Sequence, residues 1–533
     1  MLKRVLLIGF SVWLTNTIAQ KDYFHEVIRP DSSKAAIKDS LTAYAEIIQP
    51  EQLRKHIEFL ASDSCEGREL GSRGNDLAAQ YISAYFEKNR LSKVPGMKSY
   101  FQEVGFKWIY WDKLVFKIGE VPYKQLWDYL SIPAENHDLD FKTSEFVFLG
   151  YGIDDEKYSD YKGVDVKDKV VIIYKGEPKN KKGISYLSGK VELSEWATDL
   201  SKKHEAASKN GVKLLMVIED QFKEWVDLNR SAVISPQVYL DSEDKGGEAK
   251  TNIMYLSSTT TSMMLGKQIK KVIKARDKIN KTGKPQPFVL KAELEFIQKR
   301  NVKVERGRNV LAYVEGSTYP DEVLILSAHY DHIGKRGTEV FNGADDNASG
   351  TSSMMELART YQMMSESGVR PKRSVIFALM TGEEKGLLGS MYYVNKPLVS
   401  LEKTMVNINI DMIGRTDDIY KTDSNYIYVI GSDRLSSELH NLNLEVNQKY
   451  VQLKMDHRYN SELDPNRFYY RSDHYNFAEK GVPAIFFFSG VHKDYHRITD
   501  DIEKIMFAKT ANISRHIFYL SWALANKNGF LAK

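Results

Sequence analysis

Apolar positions recur along the chain with two different periods, and the changes of period divide it. Leu53, Ile57 and Leu60 fall on one face of a helix that Pro50 opens. A glycine-containing stretch runs from Cys65 to Gly74. Leu77, Ala78, Tyr81, Ile82, Tyr85 and Phe86 then repeat at helical spacing. From about Trp108 short strand-like runs take over: Leu114 to Ile118, Phe146 to Leu149 and Val170 to Tyr174, with Gly150, Gly152, Gly163 and Gly176 as turn residues. Glu205 to Lys209 reads as helix, and Val212 to Ile218 as a strand after Asn210-Gly211. The pattern predicts a β-rich module over 108–300 with one or two helices. Its basic stretch from Lys267 to Lys284 reads as a solvated helix face.

Beyond Asn309 strands and helices alternate. Val310–Val314, Val323–Leu326, Ser374–Met380, Met405–Ile410 and Ala484–Phe488 read as strands. Ala348–Met363, a helix starting near Gly386, and Ile505–Leu524 read as helices, and Tyr420 to Tyr470 finds no clear pattern. This rhythm predicts an α/β fold, a mixed β-sheet sandwiched by helices. The expected organisation is a leader over 1–19, a first part of the α/β domain over 20–107, the insertion over 108–300, and the remainder over 301–533.

Composition narrows the class. The 533 residues are 42% hydrophobic and 27% charged, and the net charge is +4. Such a chain can bury a sizeable core, and its charge is too small to imply nucleic acid as a partner. The lone Cys65 permits neither an internal disulfide nor a cysteine zinc cage. Lys3 and Arg4, the apolar run Val5–Leu14 and the small residues of Thr17-Ile18-Ala19 predict a cleaved export signal, so the expected location is periplasmic or secreted. No other apolar run has the length of a membrane span, about 20 residues.

Candidate chemistry lies directly after the apolar strands. Ser327-Ala328-His329-Tyr330-Asp331-His332 follows Val323–Leu326, Thr381-Gly382-Glu383-Glu384 follows Val375–Met380, and Asp411 follows Val406–Ile410. Ligand sites in open α/β sheets form beyond the carboxyl ends of strands. Acids and imidazoles gathered there repel one another or stay unsatisfied without a cation. Gly343-Ala344-Asp345-Asp346-Asn347-Ala348-Ser349-Gly350 adds two acids before a helix start, one of which can be an ordinary cap. Lys493-Asp494-Tyr495-His496, with Asp500-Asp501 just after, adds a late histidine.

The segments HYDHIG, GADDNASG, TGEEKGLLGS, NIDMIG, SDHYNF and DYHRITDD resemble, in order, the signatures of the dizinc aminopeptidase family, which includes aminopeptidase Y, bacterial leucyl aminopeptidases and glutamate carboxypeptidase. FVFLGYGID, GVDVKDKVVIIYKGEP and KHEAASKNGVKLLMV in the insertion resemble the protease-associated (PA) domain of such enzymes. The resemblance implies a zinc-exopeptidase, phosphorylase/hydrolase-like fold and two Zn2+ ions, with manganese or cobalt as possible substitutes. It assigns His329 and Asp411 to one ion, Glu384 and His496 to the other, and Asp346 to both. Glu383 becomes the general base, Asp331 the acid that orients a ligand histidine, and Tyr495 a donor to the substrate carbonyl. The implied reaction is removal of the N-terminal residue of peptides with a free N-terminus by a metal-activated water. A carboxypeptidase or dipeptidase on the same fold is the alternative, with Arg415 and Arg471 the nearest basic residues for a carboxylate.

Other chemistries are poorly served. There is no His-Glu-x-x-His, and no serine has glycines two residues before and after it. Cys65 reads as a buried structural thiol and Gly150-Tyr151-Gly152 as a turn. His332, His474 and His492 lie near the clusters without matching a ligand position, which predicts supporting or surface roles. A receptor without activity and a single-zinc glutaminyl cyclase share the fold, but all five ligand positions and the base are filled here.

Overall fold

The computed structural model describes residues 40–227, 237–241 and 251–533. The expected leader, residues 1–19, lies outside them. Among the described residues no helix is long and apolar enough to cross a membrane. The chain forms two compact units, Met1–Gln102 with Arg308–Lys533, and Glu103–Gly307. The division falls inside two long strands, Phe101–Ile118 and Phe288–Val314, rather than in a loop.

The first unit is built on a mixed sheet. Its strand order is Lys454–Asp456, Tyr426–Ile430, Ala484–Phe488, Thr404–Ile410, Tyr319–His329, Arg373–Met380 and the end of Phe288–Val314. Ala484–Phe488, Thr404–Ile410, Tyr319–His329 and Arg373–Met380 are mutually parallel. Their carboxyl ends therefore emerge on one side, and the register sets His329 opposite Met380.

Alternation along the strands serves two cores. Leu324, Leu326, Val375, Phe377 and Leu379 join one apolar cluster with Ile57, Leu60, Ile82, Met354, Tyr361, Ile517 and Leu520. Val323, Ile325, Ile376, Ala378 and Met380 join another with Tyr393, Val394 and Phe477. Helices thus cover both faces, as a sheet with two apolar faces requires. Helix Pro50–Leu60 begins with its proline in the first turn. Helix Arg73–Lys88 is capped by Ser72, which accepts from the Asn75 amide. Gly350–Glu366 and Phe507–Asn526 complete that layer, and Leu388–Asn395 and His474–Glu479 lie on the other face.

The second unit is more regular than the alternating runs suggest. Leu139–Phe148, Val170–Tyr174, Leu214–Glu219 and Asn252–Ser257 pair in parallel, and Phe288–Val314 lies antiparallel beside Leu139–Phe148. Helices Leu200–Lys209, Ser258–Leu265 and Ile269–Thr282 accompany them. The basic stretch buries Val272, Ala275 and Ile279 and leaves its lysines outside.

One close approach fixes the strand end that precedes Glu383. Asn309 Nδ2 donates to the Gly389 carbonyl at 2.9 Å, and its Oδ1 accepts the Thr381 amide at 3.1 Å. A Cβ on Gly389 would stand 2.3 Å from the Thr381 carbonyl oxygen. Gly389→Ala should therefore cost about 1–3 kcal/mol of stability, read as a lower urea midpoint; an unchanged midpoint refutes this tight packing.

Candidate active site

Three parallel strand ends bring the acids and imidazoles together. His329 is the last residue of its strand, and Asp411 directly follows Ile410. Glu383 and Glu384 sit on the short turn Glu383–Lys385, flanked by Gly382 and Gly386 at φ of 72° and 107°. Asp346 precedes helix Gly350–Glu366. His496 comes from the late loop, with φ of 55°. All five expected ligand residues meet there.

With Glu383 and His332 they form two donor groups: His329, Glu383 and Asp411 in one, and His332, Asp346, Glu384 and His496 in the other. His329 Nε2 is 3.2 Å from Asp411 Oδ1 and 3.4 Å from Asp346 Oδ1. His496 Nε2 is 3.1 Å from Asp346 Oδ2 and 3.2 Å from Glu384 Oε2. The two oxygens of Asp346 thus face opposite groups. Glu383 Oε2 stands off at 3.9 Å from His329 Nε2, the longest of these spacings.

The donor set suits a metal. His496 Nε2 is buried without a hydrogen-bond partner, although two carboxylate oxygens lie near it. A buried nitrogen beside two carboxylate oxygens is an arrangement that a shared cation would satisfy. Zinc bonds of about 2.0–2.1 Å in a tetrahedron separate donor atoms by roughly 3.3–3.4 Å, close to the spacings around Asp346. Nitrogen and oxygen donors without sulfur are compatible with zinc and also with harder ions.

The electrostatics point the same way. Burial pushes the Glu383 carboxyl well above the usual carboxylate range; His329 opposes this, and Asp411 and Glu384 add to it. Burial likewise pushes Asp331 up to about 7, against the pull of His329. Acids held this close need protons or cations.

The remaining expected residues take distinct places. The Asp331 carboxylate accepts the amides of Glu383 and Glu384 at 3.2 and 3.3 Å. His329 Nδ1 meets the Asp331 backbone carbonyl at 3.1 Å, while the nearer carboxylate oxygen is 3.8 Å away. Asp331 therefore orients His329 mainly through its main chain and braces the Glu383–Glu384 turn through its side chain. Tyr495 stacks on His496 with ring centroids 3.9 Å apart, and Arg471 Nη2 donates to its hydroxyl oxygen at 3.2 Å. Asp345 turns away and accepts the Gly414 amide at 2.6 Å. Arg415 is held by Asp494 at 3.0 Å.

Of the three histidines read as supporting or surface groups, none is exposed. His474 stacks on Phe486, and His492 Nε2 lies 3.3 Å from Asp345 Oδ2. His332 joins a donor group, with Nδ1 2.8 Å from Glu384 Oε1. The pocket above the acids has an apolar wall of Met412, Phe468, Phe486, Phe488 and Val491, and Arg471 lines it as well.

Arg68 is a supporting residue with no signal in its own neighbourhood beyond the glycines around it. It is fully buried. Its guanidinium donates to the carbonyls of Tyr330 at 2.8 Å, Asn342 at 2.7 Å and Gly343 at 2.9 Å, and also to Leu60. It ties the segment carrying His329 to the segment carrying Asp346.

Residues 309–521 match the family model of peptidase family M28. The chain is similar to a probable zinc metalloprotease of Pyrenophora tritici-repentis, 30% identical over 263 residues that make up 41% of this chain and 51% of that protein. It is also similar to a glutamate carboxypeptidase 2 homolog of Caenorhabditis briggsae, 34% identical over 24% of this chain and 16% of that one. The chain thus spans about half or less of these relatives. Among solved structures, the aminopeptidase from Aneurinibacillus sp. strain AM-1 superposes with a TM-score of 0.52 at 18% identity, covering 92% of this chain and 97% of that one. That likeness is one of fold. The six segments and the family match occupy the same stretch of chain.

Arg68→Met would leave buried carbonyls without donors, each costing about 1–3 kcal/mol. The variant should lose at least about 2 kcal/mol in chemical denaturation, and Arg68→Lys, with fewer donors, should recover only part. Parent-like stability in either variant rules out the clamp.

Proposed function

We propose that this chain, whose residues 309–521 match peptidase family M28, is a dinuclear zinc exopeptidase that removes the N-terminal residue of peptides. One observation carries the reading: Asp346 turns one carboxylate oxygen to His329 and the other to His496. His329, Asp411 and Asp346 would hold one ion, and Asp346, Glu384 and His496 the other. Bound zinc supplies Lewis-acid polarisation and a lowered pKa for water.

The side chains supply the rest. Glu383, the member of the first group that stands farthest from His329, takes the proton of the attacking water and passes it to the leaving amine. Arg471 can only donate, so the Tyr495 oxygen accepts from it and the phenolic proton is left for the substrate carbonyl oxygen. The outer oxygens of the acids favour a free α-ammonium, and the apolar wall favours an apolar first side chain. No member of either donor group lies between Glu103 and Gly307. The proposed role of that unit, read as PA-like, is to limit substrate size. Secretion rests on the leader sequence alone.

Arg471 supports the second reading. It lines the pocket and has no carboxylate partner among the described residues, so it could bind a substrate carboxylate, as in a carboxypeptidase. Arg415 is less suited, being held by Asp494.

Glu383→Gln should lower kcat by at least about 100-fold while two zinc equivalents remain, as metal analysis would read. Lost zinc refutes the base assignment. His496→Ala and Glu384→Ala should each lose about one equivalent; full occupancy with full activity refutes the ligand set. An aminoacyl amide should be cleaved and its N-acetylated twin spared. Equal rates, or cleavage only of substrates that end in a free carboxylate, exclude the aminopeptidase.

A further inference from the structure

His332 has no part in the five-ligand set, yet it is completely buried against it. Nδ1 lies 2.8 Å from Glu384 Oε1 and 3.6 Å from Asp346 Oδ2. The first distance is that of a good hydrogen bond and falls short of the donor spacing around a tetrahedral ion, roughly 3.3–3.4 Å. An ionised carboxylate only accepts, so the proton is on Nδ1. Oε1 is thereby occupied, and Oε2 is the oxygen that faces His496 at 3.2 Å.

The ring itself is well fixed. Its main-chain amide donates to the Arg68 carbonyl at 3.3 Å. The ring meets His496 edge-on, with centroids 5.6 Å apart. Gly343 lies against its other side at φ of 56°, where a Cβ would come within 2.5 Å of His332 Cδ2. A glycine is needed there for both reasons.

We propose that His332 is a positioning residue of the second metal position: its Nδ1–H bond to Glu384 Oε1 holds that carboxylate so that Oε2 alone is presented to the ion. The proposal rests on the dinuclear reading. It also predicts an asymmetry. His332 approaches Glu384 and, on Asp346, Oδ2, the oxygen turned to His496 rather than to His329, so the ion on that side is the one that depends on it. Hydrogen bonds to ligating groups typically contribute about 10–100-fold in metal affinity.

The test is zinc titration of the metal-free full chain against a chromophoric chelator. The parent should bind two equivalents. His332→Ala and His332→Leu should bind the first unchanged and the second about 10–100-fold more weakly. His332→Asn should restore most of that loss, because its amide N–H can occupy the place of Nδ1–H while an amide is a poor zinc ligand. Thermal unfolding of the metal-free forms reads packing separately, and the leucine variant preserves bulk where alanine fails to fold. Unchanged second-site affinity in the leucine variant overturns the proposal, and so does an asparagine variant as weak as leucine. A parent that binds no zinc at all overturns the dinuclear reading and the proposal together. A parent that binds two, with His332→Leu also binding two at equal strength, overturns only the proposal.

Discussion

Four carboxylates, from Asp346, Glu383, Glu384 and Asp411, are held in one pocket at the ends of parallel strands, and the surrounding structure is arranged to hold them there. Left alone they would spread apart or take up protons. The backbone prevents the first. Arg68 gathers carbonyls from the segments that carry His329 and Asp346. Asp500 accepts the amides of Asp345 and Asp346 at 3.0 and 3.1 Å. Ser472 donates to Asp411 Oδ2 at 2.8 Å, and Asn409 in turn donates to Ser472. Each support acts on main chain or on the outer oxygen of an acid. The inner oxygens remain turned toward the imidazoles of His329 and His496, and acids held this close need protons or cations.

Much of this was legible in the sequence because the central strands are apolar and end abruptly. Val323 to Leu326 and Val375 to Met380 are buried on both faces, so their apolar runs are continuous, and the acids and imidazoles within a few residues of each end mark the site. Tyr420 to Tyr470 was not legible for the opposite reason. Strand Tyr426–Ile430 is short, and helix Ser437–Tyr450 buries only Leu439, Asn443, Val446 and Asn447. Half of that buried set is polar, which blurs the helical period. In the second unit, strands Val170–Tyr174 and Leu214–Glu219 announced themselves as apolar runs. Their parallel pairing depends on distant partners and could not be read locally.

The same limit explains which site residues were missed. Arg68 is one arginine among charged neighbours, and its role exists only once Tyr330, Asn342 and Gly343 surround it. His332 looked like a bystander because its significance lies in the distance to Glu384, 52 positions away. Burial is what separates it from an ordinary surface histidine. The two acids of GADDNASG are told apart in the sequence only by the family resemblance, since either could be an ordinary cap. The fold distinguishes them, turning Asp345 toward Gly414 and Asp346 toward both imidazoles.

The segment His329 to His332 shows how densely the site is built. His329 supplies an imidazole, and the Asp331 main chain orients it. The Asp331 side chain fixes the backbone of Glu383 and Glu384, and the His332 ring fixes the side chain of Glu384. The turn that carries the glutamates has left-handed residues at Gly382, Gly386 and Leu387, and so draws little rigidity from regular structure. Its placement has to come from outside, and one neighbouring strand end provides it. The arrangement divides the two adjacent glutamates by what constrains them. Both have their amides tied to Asp331, but only Glu384 also has its carboxylate tied. Glu383 keeps a carboxylate without such a bond, 3.9 Å from His329 Nε2, and the proposed role of proton carrier asks for that freedom.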